Sequence, residues 1–335
     1  MKVLFIGGTG IISSACVTLA LKRGMDVTLL NRGKSFRPVA EGAKVIEADI
    51  RHFEGTRQAL ANQTFDVVAD FTGFVPQHIE TALALFEGNV GQYVYISSAS
   101  AYQTPPHTVP VTEDTPLENP FWEYSRNKAA CEARLRQAHA EAGFPATIVR
   151  PSHTYDETLF PFHGGWTVMD RMLTDKPVIV HGDGTSLWTM TYNADFAKGF
   201  VGLFGKPQAI GETYHITSDE WLTWNQIFEA IANAFGVTPK LVHIPSDLIA
   251  RYDPVWGDSL LGDKSHSFML DNRKIKALVP DFICETPYSE GVLKIRDWYL
   301  AHPEHQVVDP EFDATHERIL AAYAKAWPDG PNFGQ

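Results

Sequence analysis

Tyr124-Ser125-Arg126-Asn127-Lys128 sets a phenol and an ammonium four residues apart, a spacing that puts both on one face of a helix. An ammonium held beside a phenol stabilises its phenolate. The pair can therefore exchange a proton with an alcohol, although free tyrosine titrates near ~10. Such a run decides nothing alone. Upstream, Ser97-Ser98-Ala99-Ser100 closes the apolar run Tyr93-Val94-Tyr95-Ile96, and a hydroxyl at the carboxyl end of a parallel strand faces the crevice where ligands bind. Ser98, Tyr124 and Lys128 are the candidate catalytic set; the plain alternative for Ser98 is a strand-end hydrogen bond.

A second chemical signal opens the chain. Ile6-Gly7-Gly8-Thr9-Gly10-Ile11-Ile12-Ser13 stands where a first strand turns into a first helix. Small residues let the backbone approach a pyrophosphate, and N–H groups at a helix start hold its charge. Tight turns use the same residues, but the position at the head of a βαβ unit favours nucleotide binding. Asn31-Arg32-Gly33-Lys34 ends the second strand, where an NAD-selective site places a carboxylate. An amide and cations there suit a 2′-phosphate, so NADP is favoured over NAD; a solvated loop is the bland reading. Asp49-Ile50 is placed to meet the adenine or to cap the next helix.

These groups need a scaffold, and the chain supplies one. Val3–Ile6, Asp26–Leu30, Lys44–Ala48, Asp66–Asp70, Tyr93–Ile96 and Ala146–Val149 read as buried strands, with helical patterns between them. Continuous β-branched runs separated by helices require a parallel sheet covered on both faces. The fold class is α/β, a doubly wound Rossmann sheet with a smaller C-terminal substrate lobe. Residues 1–150 form the dinucleotide-binding domain and 151–335 mainly the substrate lobe, with Tyr214-His215-Ile216 a candidate to rejoin the main sheet.

The 335 residues carry 28 basic against 40 acidic side chains, a net charge of −12 that opposes general attraction to nucleic acid or anionic lipid. Cys16, Cys131 and Cys284 form no CxxC pair, which argues against disulfides and thiolate zinc and fits a reducing compartment. No secretory start or run of ~18 apolar residues is visible. Thirteen histidines show no metal-ligand spacing. The expectation is a cytoplasmic protein with no membrane, nucleic-acid or metal partner.

Taken together, the glycine turn, Asp49-Ile50, Phe71-Thr72-Gly73, the Ser-Ser strand end, YxxxK and Arg150-Pro151 resemble the extended short-chain dehydrogenase/reductase superfamily, in its NAD-dependent epimerase/dehydratase branch. The likeness runs through Gly182-Asp183-Gly184-Thr185 and Asp195-Phe196-Ala197, over about residues 1 to 300. It implies cofactor contacts at Gly7, Thr9, Gly10, Ile11, Ile12, Asp49, Ile50, Phe71, Thr72, Gly73 and Pro151, beside Asn31 and Arg32. It implies Tyr124 as general acid/base, Ser98 on the same substrate oxygen, and Lys128 lowering the tyrosine pKa while binding the nicotinamide ribose. The implied activity is NAD(P)-dependent epimerisation or dehydrogenation at a secondary alcohol of a sugar-like small molecule. Carbonyl reduction of a non-sugar metabolite is the alternative, and a non-catalytic RNA-binding relative the remote one.

Two departures bear on the substrate. Ala99-Ser100 stands where 4,6-dehydratases of the family carry an acid pair, which disfavours that elimination. Trp188 stands where UDP-sugar epimerases carry a diphosphate-binding arginine, so Arg171, Lys198 or Arg273 must substitute or the substrate is not a nucleotide sugar. Trp188 reads equally as core or as a stacking platform. His153 and Tyr192 are further substrate-pocket candidates, with His163 and Trp166 weaker ones. Relatives dimerise through the YxxxK helix, which makes a homodimer through Ala129–Leu135 one reading and packing within the chain the other.

Overall fold

The computed structural model describes residues 1–61 and 63–327, so residues 328–335 of the second region lie outside the described residues. Its strands in chain order are β1 (Lys2–Ile6), β2 (Asp26–Asn31), β3 (Lys44–Glu47), β4 (Phe65–Asp70), β5 (Val90–Ile96) and β6 (Ala146–Pro151). They continue with β7 (His153–Tyr155), β8 (Pro177–His181), β9 (Leu187–Trp188), β10 (Met190–Tyr192) and β11 (Thr213–Ile216). Seven of these make one sheet in the order β11-β6-β5-β4-β1-β2-β3, and every pairing in it is parallel. The order reverses beside β1, which opens a crevice at the carboxyl edge between β1 and β4.

Parallel strands need crossover helices, and these cover both faces. The first helices of the chain are α1 (Ile11–Lys22), α2 (Phe53–Ala59), α3 (Pro76–Phe86), α4 (Glu123–Ala142), α5 (Gly165–Leu173) and α6 (Asn193–Gly202), of which α5 belongs to the smaller lobe. Alternation along β1 shows the logic. Val3 and Phe5 join a core with Cys16 and Val17 of α1 and Phe196 and Phe200 of α6, while Leu4 and Ile6 join one with Ile79 and Leu83 of α3 and Cys131 and Leu135 of α4. All four β1 side chains are fully buried. The inward half of the Ala129–Leu135 stretch is thus spent within the chain.

A third core builds the smaller lobe from β7 to β10, α5 and the helices Trp224–Ala234, Tyr288–Ala301 and Pro310–Ala324. Strand β10 pairs with β7, and Lys240–Ile244 pairs with β8, each in parallel. Arg171 of α5, fully buried, ties the last helix down through Asp313 at 2.5 Å and Glu317 at 2.7 Å. Near the centre of this lobe the backbone makes a π-helical turn, Leu260–Lys264.

Candidate active site

The turn after β1 is built from residues that tolerate φ > 0. Gly7 and Gly8 have φ of 106° and 93°, and a Cβ on Gly8 would lie 2.7 Å from Leu29 Cδ2. Only glycine fits there without strain. At the third small position, Ser13 accepts the Gly10 N–H at 2.9 Å and is buried. The first N–H groups of α1 have no intrahelical partner, as at any helix start, and the residues Gly10 to Ser13 that carry them line a cavity.

Two cavities follow the carboxyl edge of the sheet on either side of this turn. One, of about 580 Å³, is lined by Gly7, Thr9, Asn31, Arg32, Asp49, Ile50 and Thr72. Lys34, Arg37 and Arg51 add positive charge to its wall. Asn31 turns its amide oxygen onto the Gly33 N–H at 2.9 Å. Arg51 reaches the Thr72 carbonyl, and desolvation holds its pKa below the usual guanidinium value. No motif marks Arg51; its place after Asp49-Ile50 was the available signal.

The other cavity, of about 390 Å³, gathers Gly10, Ile11, Ile12, Phe71, Ser98, Tyr124, Lys128, Pro151 and His153. These come from β5, α4, β6 and β7, so elements far apart in sequence converge. Gly73 lines neither cavity. It is buried, a Cβ there would strike Tyr95 at 2.7 Å, and its carbonyl accepts from Lys128 Nζ at 2.7 Å. Its place is behind the site, holding the lysine.

Lys128 also donates to the Ile96 carbonyl at 2.7 Å, and its Nζ stands 5.8 Å from the Tyr124 ring centre. Two of its three N–H donors are thereby used. Desolvation pushes its pKa down to about 8. Tyr124 is pushed up to about 12 by desolvation, opposed by its hydrogen bond with Ser98. The placed donors of the lysine go to backbone carbonyls, not to the phenol, and burial keeps the phenol above its usual pKa. Two hydroxyls on the same wall, Ser97 Oγ and Thr154 Oγ1, are buried without a protein partner. A cavity with unpaired donors beside a glycine turn and a helix start fits a polar, pyrophosphate-bearing dinucleotide.

His153 opens the way into a chamber of about 260 Å³, walled by Phe160, Phe162, Trp224 and Trp256 and reached by Lys264. Desolvation, with Lys264 nearby, pushes the His153 pKa down to about 3, so the imidazole is neutral. His163 lines the chamber and stacks on Trp256 at 5.3 Å. Trp166 instead stacks on Tyr299 at 5.2 Å, within the core.

Trp188 does not reach this chamber. It is 3% exposed and packs on Phe268 at 5.4 Å and Trp224 at 6.5 Å, so of its two readings the core one holds. Tyr192 is also elsewhere: its hydroxyl donates to Glu157 at 3.0 Å, beside a separate cavity between α1 and the helix Tyr288–Ala301. The three cations offered as diphosphate partners are engaged away from the site. Arg171 binds Asp313 and Glu317, Lys198 binds Asp195 and Glu285 at 2.7 Å each, and Arg273 is an exposed partner of Asp271.

Among the described residues, no helix is long and apolar enough to cross a membrane. A family model, described as the NAD dependent epimerase/dehydratase family, matches residues 3–217, more than half of the chain. Among curated relatives, the chloroplast stem-loop binding protein of 41 kDa b from Arabidopsis thaliana is 26% identical over 72% of this chain and 65% of its own length. The 2′-dehydrokanamycin reductase of Streptomyces kanamyceticus is 25% identical over 75% of this chain and 71% of its own. The UDP-glucose 4-epimerase of Lactobacillus helveticus is 30% identical over 45% and 51%. Among solved structures, the UDP-glucose 4-epimerase of Thermus thermophilus in complex with NAD superposes with a TM-score of 0.73 at 21% identity, covering 90% of this chain and all of that one. That likeness is one of fold.

Proposed function

We propose that this chain, which belongs to the NAD dependent epimerase/dehydratase family, carries out hydride transfer at a secondary alcohol or ketone of a sugar-like substrate, with Tyr124 as general acid/base. The observation that carries the reading is the convergence of Ser98, Tyr124 and Lys128 on one cavity that also holds Gly10 and the start of α1. A nicotinamide dinucleotide, when bound, supplies or takes up the hydride at the substrate carbon. Tyr124 gives a proton to the substrate oxygen or takes one from it, and Ser98 hydrogen-bonds the same oxygen. Lys128, with one N–H left over from its two carbonyls, donates it to the ribose and acts on the phenol through its charge, from 5.8 Å off the ring centre. Arg32, Lys34 and Arg51 around the larger cavity support NADP(H) over NAD(H), because a 2′-phosphate gains charge-assisted hydrogen bonds there.

A second reading, reduction of a compact carbonyl metabolite, draws on the small aromatic chamber and on the engagement of Arg171, Lys198 and Arg273 elsewhere. None of those three is free to meet a diphosphate, and one relative is named a reductase. Both readings use the same three residues. The test is a panel of nucleotide sugars, free sugars and compact ketones with NADH and NADPH, together with the mass and absorbance of any nucleotide retained on purification. Retained nucleotide with an epimerised product supports an internal redox cycle, and stoichiometric loss of NADPH absorbance supports net reduction. A chain that binds neither cofactor would sink both.

A further inference from the structure

The π-helical turn of the smaller lobe reaches into the catalytic strand end. Ser98 Oγ lies 2.9 Å from Ser100 Oγ, and Ser100 Oγ lies 2.9 Å from Asp263 Oδ2. Asp263 is 2% exposed and pairs through Oδ1 with Lys264 Nζ at 2.9 Å. The turn is pinned where it is. The Gly262 carbonyl accepts from Asn119 at 2.6 Å and Thr104 at 3.0 Å, and Asn119 also holds the Ser100 carbonyl at 2.9 Å. A Cβ at Gly262 would meet Trp122 at 2.7 Å. Single π turns recur at functional sites because they re-aim side chains that an α-helix would place elsewhere.

The direction of every proton in this chain of contacts is fixed by valence. A carboxylate facing an ammonium accepts only, so the Ser100 hydroxyl donates to Asp263. The Ser100 oxygen is then the acceptor, and the Ser98 hydroxyl donates to it. One Ser98 lone pair already takes the Ser100 backbone N–H at 3.2 Å. What remains on Ser98 is a single lone pair, open to the hydroxyl of a ligand in the cavity that Ser98 lines.

We propose that Asp263, acting through Ser100, is a positioning residue that sets Ser98 as an acceptor, so that the resting site is built to receive the alcohol form of its substrate rather than the ketone. The proposal rests on the reading above for the roles of Ser98 and Tyr124. A ketone oxygen needs donors, and Ser98 offers one only after the relay reverses; an alcohol finds its acceptor ready. Asp263→Asn supplies an amide N–H to Ser100, which allows that reversal and frees the Ser98 proton for the cavity. Ser100→Ala reaches the same end by deleting the acceptor.

The test uses the full chain carrying Tyr124→Phe, so that neither probe reacts, loaded with whichever oxidised cofactor it binds more tightly. Equilibrium affinities are measured for cyclohexanol and cyclohexanone, two rings of one size that differ in donor and acceptor. We expect the relay-intact chain to prefer the alcohol. Adding Asp263→Asn or Ser100→Ala shifts the alcohol-to-ketone affinity ratio toward the ketone by about tenfold, one hydrogen bond's worth. Ser100→Thr, which keeps the hydroxyl, leaves the ratio as it was. Melting temperature identifies any variant that fails to fold, in which case the other carries the test. A folded variant whose ratio moves less than about twofold, a span below one hydrogen bond, overturns the proposal alone. A chain that binds no cofactor, or neither probe, fails the enzymatic reading and takes the proposal with it.

Discussion

Lys128 and Tyr124 are pulled in opposite directions by the same burial. Removing water disfavours a charge, so the ammonium gives up its proton near pH 8 while the phenol holds its own to about 12. In the roles proposed above, carbonyl reduction needs the phenol protonated and the lysine charged, and both conditions hold below pH 8. Above it the ammonium is lost first. The profile of kcat/KM for reduction, which reports the groups of the free enzyme, should be flat up to about pH 8 and then fall about tenfold per pH unit. A profile flat through pH 10 would show that the Lys128 charge is not needed. The residue types behind this behaviour were legible as a YxxxK run; their direction of shift was not, because it depends on the two carbonyls that Lys128 meets only in the fold.

The element that holds both groups is α4, and its rotation is fixed one turn beyond Lys128. Glu132 takes a bidentate pair from Arg150 of β6 at 2.9 Å and 2.6 Å, with both partners buried. Arg150 is further held by the Tyr102 hydroxyl at 2.6 Å. Removing one member strands a buried charge, so Glu132→Ala should lower the free energy of unfolding by ~3–5 kcal/mol. The half-exposed pair between Glu80 and Arg134, by contrast, should cost under ~1 kcal/mol when Glu80 is truncated. Urea denaturation of both variants checks the contrast; equal losses would mean that the buried pair is not what anchors α4. Elements of this kind could be read from the chain. The pattern predicts a long helix over roughly 123–142, and the structure closes it at Gly143, which sits at φ 68° as a left-handed cap. The Leu260–Lys264 turn could not, since five π-helical residues carry no periodic signature and Asp263 meets Ser100 from 163 positions away.

At the scale of the molecule, three spaces adjoin: the cation-walled cavity, the cavity that holds Tyr124, which shares Phe74 with it, and the aromatic chamber, which shares His153 with the second. The doubly wound sheet predicts the first two, because its crevice lies where strand order reverses. The third belongs to the smaller lobe, where dense aromatic residues have no period to say which face the pocket and which fill the core. Trp188 shows the difficulty: its position in the sequence suited a stacking platform, yet it lies under Lys264, whose Nζ stands 5.8 Å above its ring, and never meets the chamber. What makes these spaces one enzyme in this account is Tyr124, the group that moves the substrate proton. The most direct measurement is cofactor absorbance during turnover, alongside cofactor affinity, in the Tyr124→Phe chain. The account predicts loss of nearly all turnover, by a hundredfold or more on the order typical of general acid/base groups, with dinucleotide affinity within about threefold of the unaltered chain, under one hydrogen bond's worth. Undiminished turnover in that variant would contradict it.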